Sequence, residues 1–257
     1  MNPPILPNHS DRKPHLLLCA TGSVATIKIP LILSSLSHHT LSIRLILSPS
    51  ATSFFTGKTS EQPPLSSLST LPNVEAVYTD EDEWAVPWSR GEKILHIELR
   101  RWADIMVIAP LSANSLAKIC GGWAEGLVGS VVRAWDTTGE LDIVRYPLPS
   151  PDEEKEREEE AAECMAEGAR TGVRKKHIIV APSMNTAMWK QPITRKHIEV
   201  LEGEWGVKNG GWFEVLQPME KELACGDVGG GAMKDWREIV GVIEDRLNLR
   251  NEAQAET

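Results

Sequence analysis

Three short segments set small polar residues at the end of an apolar run. Thr21-Gly22-Ser23-Val24-Ala25 follows one such run. Glycine lets the backbone approach a ligand closely, and a serine at a helix start adds a hydroxyl to the unpaired N–H groups there, which suits a phosphate. Ala109-Pro110-Leu111-Ser112-Ala113-Asn114-Ser115 repeats the pattern, and Ala181-Pro182-Ser183-Met184-Asn185-Thr186 places an asparagine directly after a run. Each alone is explained as well by capping of a helix. Three in one chain are harder to dismiss. None has the GxGxxG spacing of dinucleotide binding.

A fourth segment, Leu223-Ala-Cys-Gly-Asp-Val-Gly-Gly-Gly-Ala-Met233, puts a thiol among glycines. Its glycine density argues against a helix or strand interior, so a flexible loop is expected there. A cysteine on such a loop points to reactivity as much as to packing. Cys19, Cys120 and Cys164 are scattered without a CxxC pair, and neither a zinc site nor a disulfide framework follows. His96 stands apart from the other histidines because it opens an amphipathic stretch, His96 to Trp102, just before an apolar run. Gly57-Lys58-Thr59 resembles the end of a P-loop, but the leading glycine is replaced by Thr52. HExxH and GxSxG spacings are absent.

The elements that must position these residues follow from the apolar pattern. Continuous runs at 15–21, 42–48, 104–109 and 177–181 read as buried strands, with a short one at 75–78. Helical spacing covers 23–36, 94–102, 112–120, 125–135 and 193–201. Strand and helix in alternation predict an α/β fold in one domain, a parallel sheet with helices on both faces. In such sheets ligands gather at the carboxyl ends of the strands, where the three polar junctions fall. The stretch 56–72, rich in Ser, Thr and Pro, is expected to be a loop. Residues 1–14 are expected to be a disordered leader, 15–247 the folded domain, and 248–257 a tail.

Composition excludes several classes. With a net charge of -9, the chain lacks the basic field of a general nucleic-acid binder. Most of that charge lies in 151–167, within an acidic insertion at about 138–176, read as a surface element that leaves the core intact. No run approaches the ~20 apolar residues that span a bilayer. The expected compartment is the cytoplasm.

Taken in order, Gly22 to Lys28, Tyr78-Thr-Asp-Glu-Asp-Glu-Trp84, Leu95-His-Ile-Glu-Leu-Arg-Arg-Trp-Ala-Asp104, Ala109 to Asn114, Arg133-Ala-Trp-Asp136, Met184-Asn-Thr-Ala-Met-Trp189 and Leu223-Ala-Cys-Gly-Asp227 closely resemble the flavin-dependent cysteine decarboxylases of the eukaryotic phosphopantothenoylcysteine decarboxylase type. The likeness runs from about His15 to Leu247. It implies a Rossmann-like flavodoxin-type fold and a homotrimer with FMN bound where subunits meet. Position by position, it implies FMN contacts from Gly22, Ser23, Val24, Ser50, Ser112, Ala113, Asn114 and Ser183. It makes His96 the catalytic base, Asn185 the anchor of the substrate carboxylate, Cys225 the proton donor on a covering flap, and Arg101 a supporting residue. Ala224 and Met233 join Asn185 and Cys225 as substrate contacts. No metal is implied.

The chemistry gives each part a task. Cysteine has no electron sink for the carbanion that decarboxylation leaves. Oxidation by flavin, with His96 taking the thiol proton, would give a thioaldehyde whose C=S bond absorbs that electron pair. The resulting enethiolate is then reduced, with Cys225 supplying the proton. The flap keeps water out.

Three departures from the family pattern stand out. Glu125-Gly126 replaces an Asp-Asn pair, Ser183 replaces an alanine, and the insertion is longer than the usual connection. The same resemblance carries an alternative: some fungal relatives are regulatory subunits that inhibit a Ser/Thr protein phosphatase, alone or in a mixed trimer with a paralogue. His96, Asn185 and Cys225 are all present here, which favours the enzyme. A decarboxylase of peptide C-terminal cysteines would share the chemistry.

Overall fold

The computed structural model describes residues 13–142, 144–145, 175–222 and 228–249. Six strands form a parallel sheet: β1 (His15–Ala20), β2 (Ser42–Leu47), β5 (Val74–Tyr78), β6 (Ile105–Leu111), β7 (Ile178–Pro182) and β8 (Phe213–Val215), in spatial order β5-β2-β1-β6-β7-β8. The chain winds outward from β1 to β5, then returns to the other side of β1. Counted along the sequence this is the doubly wound Rossmann order, and its switch point lies between β1 and β6, where a crevice opens above the carboxyl ends. Every residue of β1, β2, β6 and β7 is buried, because helices cover both faces. Alternation along β1 sends Leu16 and Leu18 to one core and Leu17 and Cys19 to the other.

The first core is closed by α1 (Ile29–Ser35) and α8 (Trp236–Arg246). The second is closed by α3 (Leu95–Trp102), α4 (Ala113–Cys120), α5 (Gly126–Arg133) and α7 (Pro192–Glu202). Two short helices, α2 (Pro49–Thr52) and α6 (Thr186–Lys190), follow β2 and β7.

Three segments differ from the sequence expectation. The helix expected over 23–36 is split into a 3-10 turn at Val24–Lys28 and α1, since Pro30 has no N–H to continue the ladder. The segment expected to be a loop at 56–72 holds a small hairpin, β3 (Thr56–Thr59) with β4 (Gln62–Pro64), and a 3-10 turn at Leu65–Thr70. The glycine-rich segment is not loop throughout. Met219–Glu222 (β9) pairs antiparallel with Val228–Ala232 (β10), with a bulge between Gly230 and Ala232. Gly231 has φ +113°, and a Cβ there would lie 2.6 Å from the Met184 carbonyl oxygen. A Cβ on Gly229 would meet the Thr186 side chain at 2.7 Å. Close packing against the start of α6, rather than looseness, accounts for these glycines. Leu223 to Asp227, including Ala224 and Cys225, lie outside the described residues, as do 1–12, most of the acidic insertion and 250–257.

The amino end of the sheet carries a charged clamp. Trp102 is sandwiched between His15 (centroids 4.5 Å apart, planes 8° apart) and the Arg44 guanidinium at 4.3 Å. On one flank of the acidic insertion, Arg145 donates to both Asp104 oxygens, at 2.9 and 2.8 Å. On the other flank, the buried Lys176 ammonium reaches the Arg101 carbonyl at 3.0 Å and the Asp142 carboxylate at 3.6 Å. The flanking residues are therefore fixed at the end of the sheet opposite the crevice.

Candidate active site

The three polar junctions meet. They border one cleft of about 1180 Å³ above the carboxyl ends of β1, β6 and β7. Each junction keeps its capping role: Ser23 accepts from the Ala25 N–H at 3.4 Å, Ser112 from Ser115 at 3.2 Å, and the Asn185 Oδ1 from Met188 at 2.8 Å. They are also tied to one another. The Ser112 N–H donates to the Thr21 hydroxyl at 2.7 Å, and that hydroxyl donates to the Pro110 carbonyl at 3.0 Å. The Ser183 N–H donates to the Leu111 carbonyl at 2.8 Å. The Ser183 and Ser23 hydroxyls lie 2.8 Å apart, so the hydroxyl that departs from the family's alanine has a partner.

Gly22, Ser23, Val24, Ser112, Ala113, Asn114, Ser183, Asn185 and Met233 all border this cleft. Ser50 does not border it but packs against Gly22, where a Cβ would come within 2.6 Å of the Ser50 Cβ. Only glycine allows that approach. Sequence reasoning missed the apolar walls, Leu31, Phe54, Met188, Met219 and Trp236, and the cations Lys28 and Lys234 at the rim. Met188 sits in a segment already singled out, but nothing in the local pattern marks Phe54 or Trp236. A floor of small residues and backbone N–H groups under apolar walls fits a flat heteroaromatic group with an anionic tail.

Asn185 is shaped for an anion. Its Oδ1 is committed to the Met188 N–H, which fixes the amide orientation and leaves the Nδ2 hydrogens to donate to a carboxylate.

His96 and Arg101 are not brought to this cleft within one chain. His96 lies in the first turn of α3, which packs on the second core, with its Nδ1 2.6 Å from the Glu83 carboxylate. Arg101 is half exposed further along α3 and donates to Glu98 at 2.8 Å. Among the described cysteines, Cys19 is buried in the core, which pushes its thiol far up. Burial also pushes Cys120 up to about 11. Neither offers a thiolate at neutral pH. Among the described residues no helix is long and apolar enough to cross a membrane.

A doubly wound sheet with three tied, glycine- and serine-bearing turns around one cleft defines a Rossmann-like binding protein for a phosphorylated cofactor. Residues 5–152 and 160–248 match the Flavoprotein family. A probable phosphopantothenoylcysteine decarboxylase of Arabidopsis thaliana is 38% identical over 228 residues, covering 87% of this chain and 84% of that protein. The probable thymidylate synthase of Schizosaccharomyces pombe is 36% identical over 257 residues, but the chain spans only 33% of that longer protein. Among solved structures, a PPC decarboxylase mutant complexed with pantothenoylaminoethenethiol superposes with a TM-score of 0.64 at 34% identity, covering 90% of this chain and 97% of that one. The chain belongs to the Flavoprotein family, in its phosphopantothenoylcysteine decarboxylase branch.

Proposed function

We propose that this chain decarboxylates 4′-phosphopantothenoylcysteine to 4′-phosphopantetheine in coenzyme A biosynthesis, with FMN held in the cleft above β1, β6 and β7. One observation carries the reading. Seven of the eight positions that the family pattern assigns to FMN border a single cleft, together with the carboxylate anchor Asn185. Gly22, Ser23, Val24, Ser112, Ala113, Asn114 and Ser183 would hold the cofactor, and Ser50 would support Gly22 from behind. Bound FMN supplies a reversible two-electron acceptor, which no side chain provides.

The chain's own residues divide the remaining work. Asn185 orients the cysteine carboxylate through its Nδ2 hydrogens. His96 takes the thiol proton, and Cys225, on the segment linking β9 to β10, returns a proton to carbon. Apolar walls from Phe54, Met188, Met219 and Trp236 exclude water from the thiol carbon.

His96 and Arg101 reach the cleft from a neighbouring copy in a homotrimer. Supporting this, Trp84, Val86, Trp88 and Trp123 are 63%, 71%, 50% and 63% exposed on the loops leading into α3 and α5. Large apolar side chains clustered on a surface suit burial against another subunit. The reaction belongs to the cytosol in this reading, where thiols stay reduced.

The test is direct. The purified protein is expected to be yellow, to release FMN on denaturation, to scatter light as a trimer, and to evolve CO2 from phosphopantothenoylcysteine. A correctly assembled protein that is colourless and takes up no flavin would overturn the assignment. Preferential turnover of a peptide with a C-terminal cysteine would move the substrate elsewhere within the same chemistry.

A further inference from the structure

The acidic run Thr79-Asp-Glu-Asp-Glu-Trp84 forms a rigid bracket. Asp82 accepts from the Thr79 N–H at 2.7 Å and from the Thr79 hydroxyl at 3.1 Å, closing a capping box on a 3-10 turn at Asp80–Asp82. Asp80 accepts from the Leu127 N–H at 2.8 Å, tying that turn to the start of α5. The next residue is Glu83. Its side chain is only 6% exposed, and one oxygen sits 2.6 Å from His96 Nδ1. Its second oxygen is buried without a hydrogen-bond partner among the described residues. A buried carboxylate is costly to maintain and is ordinarily offset by its partners. Here its partner among the described residues is a single imidazole nitrogen.

From this geometry, and resting on the reading of His96 as the base, we propose that Glu83 is a positioning residue that selects the working tautomer of His96. A carboxylate only accepts, so Nδ1 carries the proton and donates it to Glu83. Nε2 is thereby left bare on the side of the ring away from Glu83, ready to take the substrate's thiol proton. When the proton arrives, the carboxylate faces the imidazolium that results. Fixing tautomer and charge together is the task of the buried carboxylate in a Ser-His-Asp triad, here applied to a thiol proton. In the bracket, Asp80 and Asp82 are spent on backbone N–H groups, so Glu83 is the acid delivered to the histidine.

The test uses flavin-loaded, assembled protein. With histidine labelled by ¹⁵N, the His96 signals are identified by their loss in His96→Gln. The wild type is expected to show a protonated Nδ1 and a bare Nε2; a proton on Nε2 overturns the proposal without recourse to any Glu83 variant. Glu83→Gln removes the charge that faces the imidazolium, and with its amide N–H turned to Nδ1 it places the proton on Nε2. It is expected to retain FMN and KM within about twofold while kcat falls by about 10²-fold, within the range for acid–base groups. Glu83→Asp, which keeps the charge, is expected to recover part of that loss. Wild-type kcat in Glu83→Gln, beside an inactive His96→Gln, removes Glu83 and leaves the base intact. Full turnover by His96→Gln removes the base itself, and the role of Glu83 with it.

Discussion

Asp136 offers a quantitative test of how the site's scaffold is held. Its carboxylate is 3% exposed and accepts five hydrogen bonds. Thr138 N–H, Thr138 hydroxyl and Gly139 N–H bind one oxygen at 3.1, 3.0 and 2.9 Å. Leu141 and Asp142 N–H bind the other at 2.7 and 2.9 Å. Burial alone would raise this carboxyl, but the donors from Asp142, Leu141 and Thr138 outweigh it and bring it from 3.8 down to about 2. At ~1.4 kcal/mol per pH unit, that difference corresponds to about 2 kcal/mol of folding stability. The loop so organised places Asp142 against Arg100 of α3 at 3.3 Å, so the helix carrying His96 depends on it. Asp136→Asn turns two acceptor sites into an amide NH2 facing N–H donors. It is expected to lose about 2 kcal/mol near neutral pH, measured by reversible urea unfolding followed through tryptophan fluorescence. Because the folded value is depressed, the contribution is complete above the unfolded value of 3.8 and lost as pH falls through about 2. About half of it should remain at a pH of about 3. Equal stability of variant and wild type near neutrality, or a gap that stays constant on acidification, refutes the reasoning.

Four further outcomes are expected. Gly22→Ala should weaken FMN binding at least tenfold in a flavin titration, because its Cβ meets Ser50 at 2.6 Å. Gly231→Ala forces a positive φ and a Cβ 2.6 Å from the Met184 carbonyl; it should displace the β9–β10 hairpin and lower kcat while flavin content is unchanged. Trp102→Ala removes a 1% exposed ring between His15 and Arg44 and should cost about 3–5 kcal/mol in chemical denaturation. Cys225→Ser should still release CO2 but accumulate an unsaturated thiol product, seen by mass spectrometry; full turnover to the saturated product excludes Cys225 as proton donor.

Much of this was legible in the residues. The runs that became β1, β2, β6 and β7 announce themselves because strands covered on both faces need no polar alternation, and the polar junctions after three of them do meet at one cleft. Pairing across the sequence was not legible. The Ser23–Ser183 contact joins residues far apart in the chain, and only strand order brings β1, β6 and β7 side by side. The β9–β10 hairpin was misread because glycine ordinarily weakens a strand, whereas here each missing Cβ makes room for α6. Glu83 was not singled out, because only the capping box and the tie to α5 decide which member of the acidic run turns inward. His96 was singled out by its residue type and place in a motif, but within a single chain it does not border the cleft.

The clamp at the amino end of the sheet also has a practical use. Arg145 on one side and Lys176 on the other are pinned to Asp104, Asp142 and the Arg101 carbonyl, so both anchors lie at the pole farthest from the cleft. A fluorescent reporter or affinity module joined beside either anchor is therefore expected to sit at the opposite end of the sheet from the cleft.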